Sequence, residues 1–155
     1  MKEDFEKIKN LLEKAKVKYE IFEHEPVYTS EDAARVRGVD IKSGAKSMVI
    51  RSDGKFYNFV LSAARKIDWK KVKKVLNSKS ASLASPEEVK EATNCEIGSV
   101  SPFGNLYGLK VYCDLYLLEN DLIEFNAGLH TMSIKMNSKD WIKLVNPEVV
   151  DFCKD

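Results

Sequence analysis

Apolar residues recur at helical spacing from the start of the chain, with Phe5, Ile8, Leu11, Leu12 and Ala15 set between charged positions, which predicts an amphipathic opening helix. Tyr19 to Phe22 alternates as a short strand that ends before Pro26, a residue with no backbone donor. Thr29 or Ser30 is placed to cap a short helix through Ala34, closed by Gly38. Ala45 to Arg51 and Lys55 to Leu61 are β-rich runs joined around Ser52-Asp53-Gly54, a strong signal for a tight hairpin. A helix follows from Asp68 to Leu76 with Trp69, Val72, Val75 and Leu76 on its inner face, then a brief strand at Ser82 to Ala84. Ser85-Pro86-Glu87-Glu88 combines a capping serine, a proline at the first helical position and a glutamate three residues after the cap.

The stretch from Asn94 to Gly108 is rich in Gly, Ser and Asn and reads as a loop inside the domain, a common site of function. Beyond it, Leu109 to Tyr112, Asp121 to Phe125 and Thr131 to Met136 read as strands and Ser138 to Val145 as a closing helix. Strands and helices intermix without strict βαβ alternation. That order predicts a mixed α+β fold, loosely α/β, in which a mixed sheet curls into a partial barrel with helices outside.

At 155 residues the chain is expected to form a single domain, 1–155, around one core. Its longest apolar runs fall far short of the roughly 20 residues needed to span a bilayer, and the start lacks a signal-like apolar segment, so a cytoplasmic protein with no membrane partner is expected. Cys95, Cys113 and Cys153 are unpaired in number and spacing, which points to free thiols. Two histidines without ligand spacing predict no metal, and nothing indicates another cofactor. The net charge of +1 conceals a basic cluster: Arg65, Lys66, Lys70, Lys71, Lys73, Lys74 and Lys79 face one acid, Asp68. Such a cluster can hold a phosphate backbone, and it also fits a solvated helix face.

Candidate chemistry lies in three glycine-punctuated segments: Gly44-Ala45-Lys46-Ser47, Gly98 to Gly104, and Asn126-Ala127-Gly128-Leu129-His130-Thr131. Glycine allows a backbone with open N–H groups to approach a ligand closely. Lys46 precedes the apolar run Met48-Val49-Ile50, so its base is expected on a strand. No G-x-S-x-G elbow and no Cys-His arrangement supplies a covalent nucleophile.

These segments, with His24-Glu25-Pro26-Val27-Tyr28-Thr29 and Ser133-Ile134-Lys135-Met136, occur in the order seen in the YbaK/ProX family of aminoacyl-tRNA deacylases, which the chain resembles from about Tyr19 to Leu144. The family includes the editing domain associated with prolyl-tRNA synthetase. The resemblance implies a pseudo-barrel fold and hydrolysis of the ester that joins a wrong, small amino acid to the 3′-terminal adenosine of a tRNA, with proline tRNA the first guess. It implies Lys46, Gly104 and His130 as catalytic, Lys46 as the signature cation and Gly104 as a backbone donor. His24, Tyr28, Thr29, Ser47, Ser101, Pro102, Phe103, Asn126, Ala127, Gly128 and Thr131 are implied in substrate binding, with the substrate's own 2′-hydroxyl assisting. The partners implied are a tRNA acceptor end, held in part by Arg65, Lys66, Lys70, Lys71, Lys73 and Lys74, and a synthetase; DNA is not among them. A non-catalytic tRNA- or synthetase-binding module of the same fold is the alternative.

Overall fold

The computed structural model describes residues 2–155. Helix α1 (Lys2–Lys14) leads into β1 (Tyr19–Glu23), α2 (Ser30–Arg37) and the antiparallel hairpin of β2 (Ala45–Ser52) and β3 (Lys55–Ser62). Then come α3 (Trp69–Leu76), β4 (Ser82–Leu83), α4 (Pro86–Thr93), β5 (Lys110–Asp114), β6 (Leu122–Asn126), β7 (Met132–Asn137), α5 (Ser138–Val145) and β8 (Glu148–Val150).

Local chemistry sets these boundaries. Ser52 pairs with Lys55 across Asp53 and Gly54, both at positive φ (51° and 76°), as a two-residue primed turn requires. Thr29 caps α2 by accepting from the Asp32 N–H, and Gly38 at φ 67° ends it. Ser85 and Glu88 form a reciprocal capping box at the start of α4. Helix α2 continues to Arg37, beyond the Ala34 limit expected from its pattern, because Gly38 itself makes the closing bonds to the Ala34 and Arg35 carbonyls. Strand β8 and the five-residue 3-10 helix at Leu115–Glu119 carried no recognised local signal. Strand β8 exists because it adds in parallel to β5.

Two sheets result. One, in the order β1-β7-β6, is antiparallel; the other, β4-β2-β3-β5-β8, is antiparallel around the hairpin and parallel from β3 to β8. An isolated parallel bridge between Gly44 and Glu124 joins them, so the mixed sheet curls without closing. The larger core lies under α1, where Ile8 and Leu12 pack with Phe103, Phe125, Ile134 and Trp141. A second core gathers Ile50, Phe59, Leu61, Tyr112 and Phe152 beneath Val72 of α3. Each such fully buried side chain contributes about 1.5–3 kcal/mol. Among the described residues no helix is long and apolar enough to cross a membrane.

Candidate functional site

A cavity of about 210 Å³ opens where α2, the first half of β2, β4 and the 97–100 segment meet the end of β6. Its walls are largely apolar, with Val27, Ala33, Val39, Ile41, Val49 and Val100 among them, and Thr29, Arg37, Asp40, Lys46, Ser47 and Asn126 bring polar groups to it.

Lys46, which lines the cavity, is the second residue of β2 and pairs with Leu61 of β3. Its ammonium donates to the Arg65 carbonyl at 3.1 Å. Partial burial pulls its pKa down, with Lys66 adding to the fall and Glu31 opposing it. Ser47 beside it donates to the Ser101 carbonyl at 2.9 Å and accepts from the buried Asn58 amide at 2.8 Å. The first of these bonds fastens the 94–108 loop to the strand that carries the lysine.

Arg37 is a cavity residue that the sequence pattern did not single out. A basic side chain in the last turn of a helix ordinarily complements the helix dipole. Here it folds inward: Nε donates to Ser133 Oγ at 2.9 Å and Nη2 to Asn126 Oδ1 at 3.1 Å. Burial pulls its pKa down to about 10, with buried Glu124 opposing that fall. Glu124 accepts from the Ser43 hydroxyl at 2.6 Å, and its own pKa is pushed up by burial. Asn126 donates in turn to the Gly98 carbonyl at 2.8 Å, so one polar chain connects α2, β6, β7 and the 94–108 loop.

Of the residues expected at the site, Tyr28, Thr29, Lys46, Ser47 and Asn126 line the cavity together. Others stand behind its wall. His24 Nε2 meets Ser133 Oγ at 2.7 Å, and its backbone N–H donates to the Thr131 carbonyl. His130 Nδ1 meets the Val27 carbonyl at 2.9 Å, its ring lies 4.6 Å from that of Tyr28, and Nε2 is 3.6 Å from Glu96. Ala127 is fully buried, and Gly128 turns the chain at φ 89°.

The Ser101 to Gly104 segment is placed inside the protein, away from the cavity lining. The Ser101 hydroxyl bonds to Tyr107 at 2.8 Å, the Pro102 carbonyl accepts from Trp141 Nε1 at 3.0 Å, and Phe103 packs 5.7 Å from Phe125. Gly104 lies against Asn58 and Val111. The physical reason is the apolar core under α1, which draws Phe103 in and takes the adjoining backbone with it.

The basic cluster is also divided. Arg65 lies 3.7 Å over the Tyr116 ring and donates to the Lys154 carbonyl, and Lys71 is held by Asp151 at 3.2 Å and Asp155 at 3.1 Å. Lys66, Lys70 and Lys74 are exposed, while Lys73 is half-buried.

Known proteins resemble this chain over most of its length. The chain is 33% identical over 147 residues, 92% of its length and 88% of the relative's, to the multifunctional Ser/Thr-tRNA deacylase ProXp-y of Escherichia coli (strain K12). It is 32% identical over 84 residues, 54% of this chain and 15% of the relative, to a proline–tRNA ligase of Bacillus cereus (strain AH187). Its fold superposes at a TM-score of 0.86 and 24% identity, covering 98% of both chains, on the crystal structure of a candidate trans-editing enzyme for prolyl tRNA synthetase. Residues 24–144, which contain every polar group brought to the cavity, match the model of the aminoacyl-tRNA editing domain. The chain therefore belongs to the aminoacyl-tRNA editing domain family.

Proposed function

We propose that this protein is a trans-acting aminoacyl-tRNA deacylase that removes a small amino acid from mischarged tRNA, with proline tRNA the first carrier to test. The observation that carries the reading is a preformed cavity, built within the family-matched residues, with Lys46 among the residues that line it. Its volume, about 210 Å³, lies below the roughly 300–1,000 Å³ of pockets that enclose drug-sized ligands, which favours a small aminoacyl group. The likeness to a segment of a proline–tRNA ligase supports action alongside a synthetase.

An aminoacyl ester needs to be held, supplied with water and stabilised as its oxyanion forms. Water oxygen bonds to the carbonyl carbon, the bond from that carbon to the ribose oxygen breaks, and free amino acid and the tRNA hydroxyl leave. Lys46 supplies positive charge for the phosphate or carbonyl region. Arg37 and Asn126, bonded to each other, hold the far wall in place. The second reading, a non-catalytic module of the same fold, draws on one observation: among the described residues that line the cavity there is no histidine or cysteine.

The test is deacylation of proline tRNA carrying alanine, cysteine, serine, threonine or proline, by wild type and by Lys46→Ala. Rapid loss of at least one mischarged ester is expected, with the variant slower by on the order of 10²-fold. Persistence of every ester at its spontaneous rate while tRNA still binds would leave the binding module in its place.

A further inference from the structure

We propose that the exposed apolar rim of the cavity, made by Tyr28, Leu83 and Ile97, seats the terminal purine base of the substrate; this rests on the deacylase reading above. Tyr28 is 73% exposed, Ile97 51% and Leu83 46%, yet all three belong to the wall of one cavity. They converge from separate parts of the chain: the segment before α2, strand β4 and the 94–108 loop. Large apolar side chains gathered at one mouth mark a contact surface.

The size of the cavity decides what the rim meets. A space of about 210 Å³ is too small to enclose aminoacyl group and nucleoside together, so with the aminoacyl group inside the base falls at the mouth. An acceptor end is single-stranded, and proteins hold such bases by stacking them on aromatic and apolar side chains.

Tyr28 is held ready for this. The Val27 N–H donates to the His130 carbonyl at 3.1 Å, and the Val27 carbonyl meets His130 Nδ1 at 2.9 Å, so the two residues are tied twice. That clamp sets the imidazole 4.6 Å from the Tyr28 ring at 41°. Gly98 (φ 86°) lets the loop bearing Ile97 close on the same imidazole, since a Cβ there would lie 3.3 Å from His130 Cε1. His130 is thus a positioning residue for the rim. Holding the tyrosine before binding removes part of the ordering cost of capturing the base.

Tyr28→Ala should raise KM for mischarged tRNA by on the order of tenfold with little change in kcat, and Tyr28→Phe should restore it. Removing the base from the 3′-terminal nucleotide should cost wild type a similar factor, and the two losses should not combine. Multiplicative losses would overturn the assignment. Fluorescence anisotropy with an uncharged RNA hairpin ending in CCA reads the rim without turnover. About tenfold weaker binding by Tyr28→Ala is expected there, and equal binding overturns the proposal even if no ester is hydrolysed. Tyr28-dependent binding without hydrolysis by wild type would instead remove the deacylase reading alone.

Discussion

Gly104 lies so close to Asn58 that a Cβ at the glycine would stand 2.6 Å from both Cβ and Oδ1 of the asparagine, and 2.8 Å from Val111 Cγ2. Asn58 is fully buried and orients Ser47. Gly104→Ala must therefore displace a packed side chain, and urea unfolding should show a loss of about 1–3 kcal/mol. Wild-type stability combined with a selective fall in kcat would return the glycine to the oxyanion role implied by its motif.

Burial raises the Glu124 carboxyl above its ordinary 4.5, against the pull of Ser43, Arg37 and Lys135. The folded state then keeps a proton that the unfolded state has released, so this group's contribution falls as pH rises from the ordinary value through the raised one. Glu124→Gln does not titrate. Urea midpoints at pH 4 and pH 7 should show the variant gaining on wild type at the higher pH; the reverse order would contradict the burial argument.

Lys71 is engaged by Asp151, Asp155 and the Cys153 carbonyl, whereas Lys70 and Lys74 are exposed on the same helix. If α3 contacts tRNA phosphates, Lys70→Ala or Lys74→Ala should reduce the slope of log affinity against log salt by about one, and Lys71→Ala by much less. Filter binding across a salt series measures this, and slopes unchanged from wild type in all three variants would exclude the helix from the phosphate contact.

Cys95, Cys113 and Cys153 are buried, and none of the three is in a disulfide. Burial raises all three thiols, with Cys153 pushed up to about 12 and Asp114 adding to the effect. At pH 8 a disulfide reagent should find almost no reactive thiol in the native protein and three after unfolding in urea. Rapid native labelling would place at least one of them at the surface.

The elements were readable because their signals are local. Asp53-Gly54, the Ser85 capping box, Thr29 and Gly38 each act over a few residues of backbone, and each element they mark forms, although α2 runs three residues past the expected Ala34. The cavity was readable in part. Lys46 and Ser47 follow a glycine at a strand start, and the ordered motifs indicated the family later matched over residues 24–144. Arg37 was not readable, because its partners Asn126 and Ser133 lie 89 and 96 residues away and a basic residue at a helix end has an ordinary local explanation.

By itself, then, the sequence determined where the chain turns, caps and alternates, and which family its motifs follow, because those properties depend on short-range backbone energetics and on residue order. Only the tertiary structure decided which side chains face the cavity. The same glycine-rich chemistry sends Asn126 to the wall and Phe103 to the core, and the choice rests on long-range packing under α1 and on the bridge from Gly44 to Glu124 that brings the two sheets together.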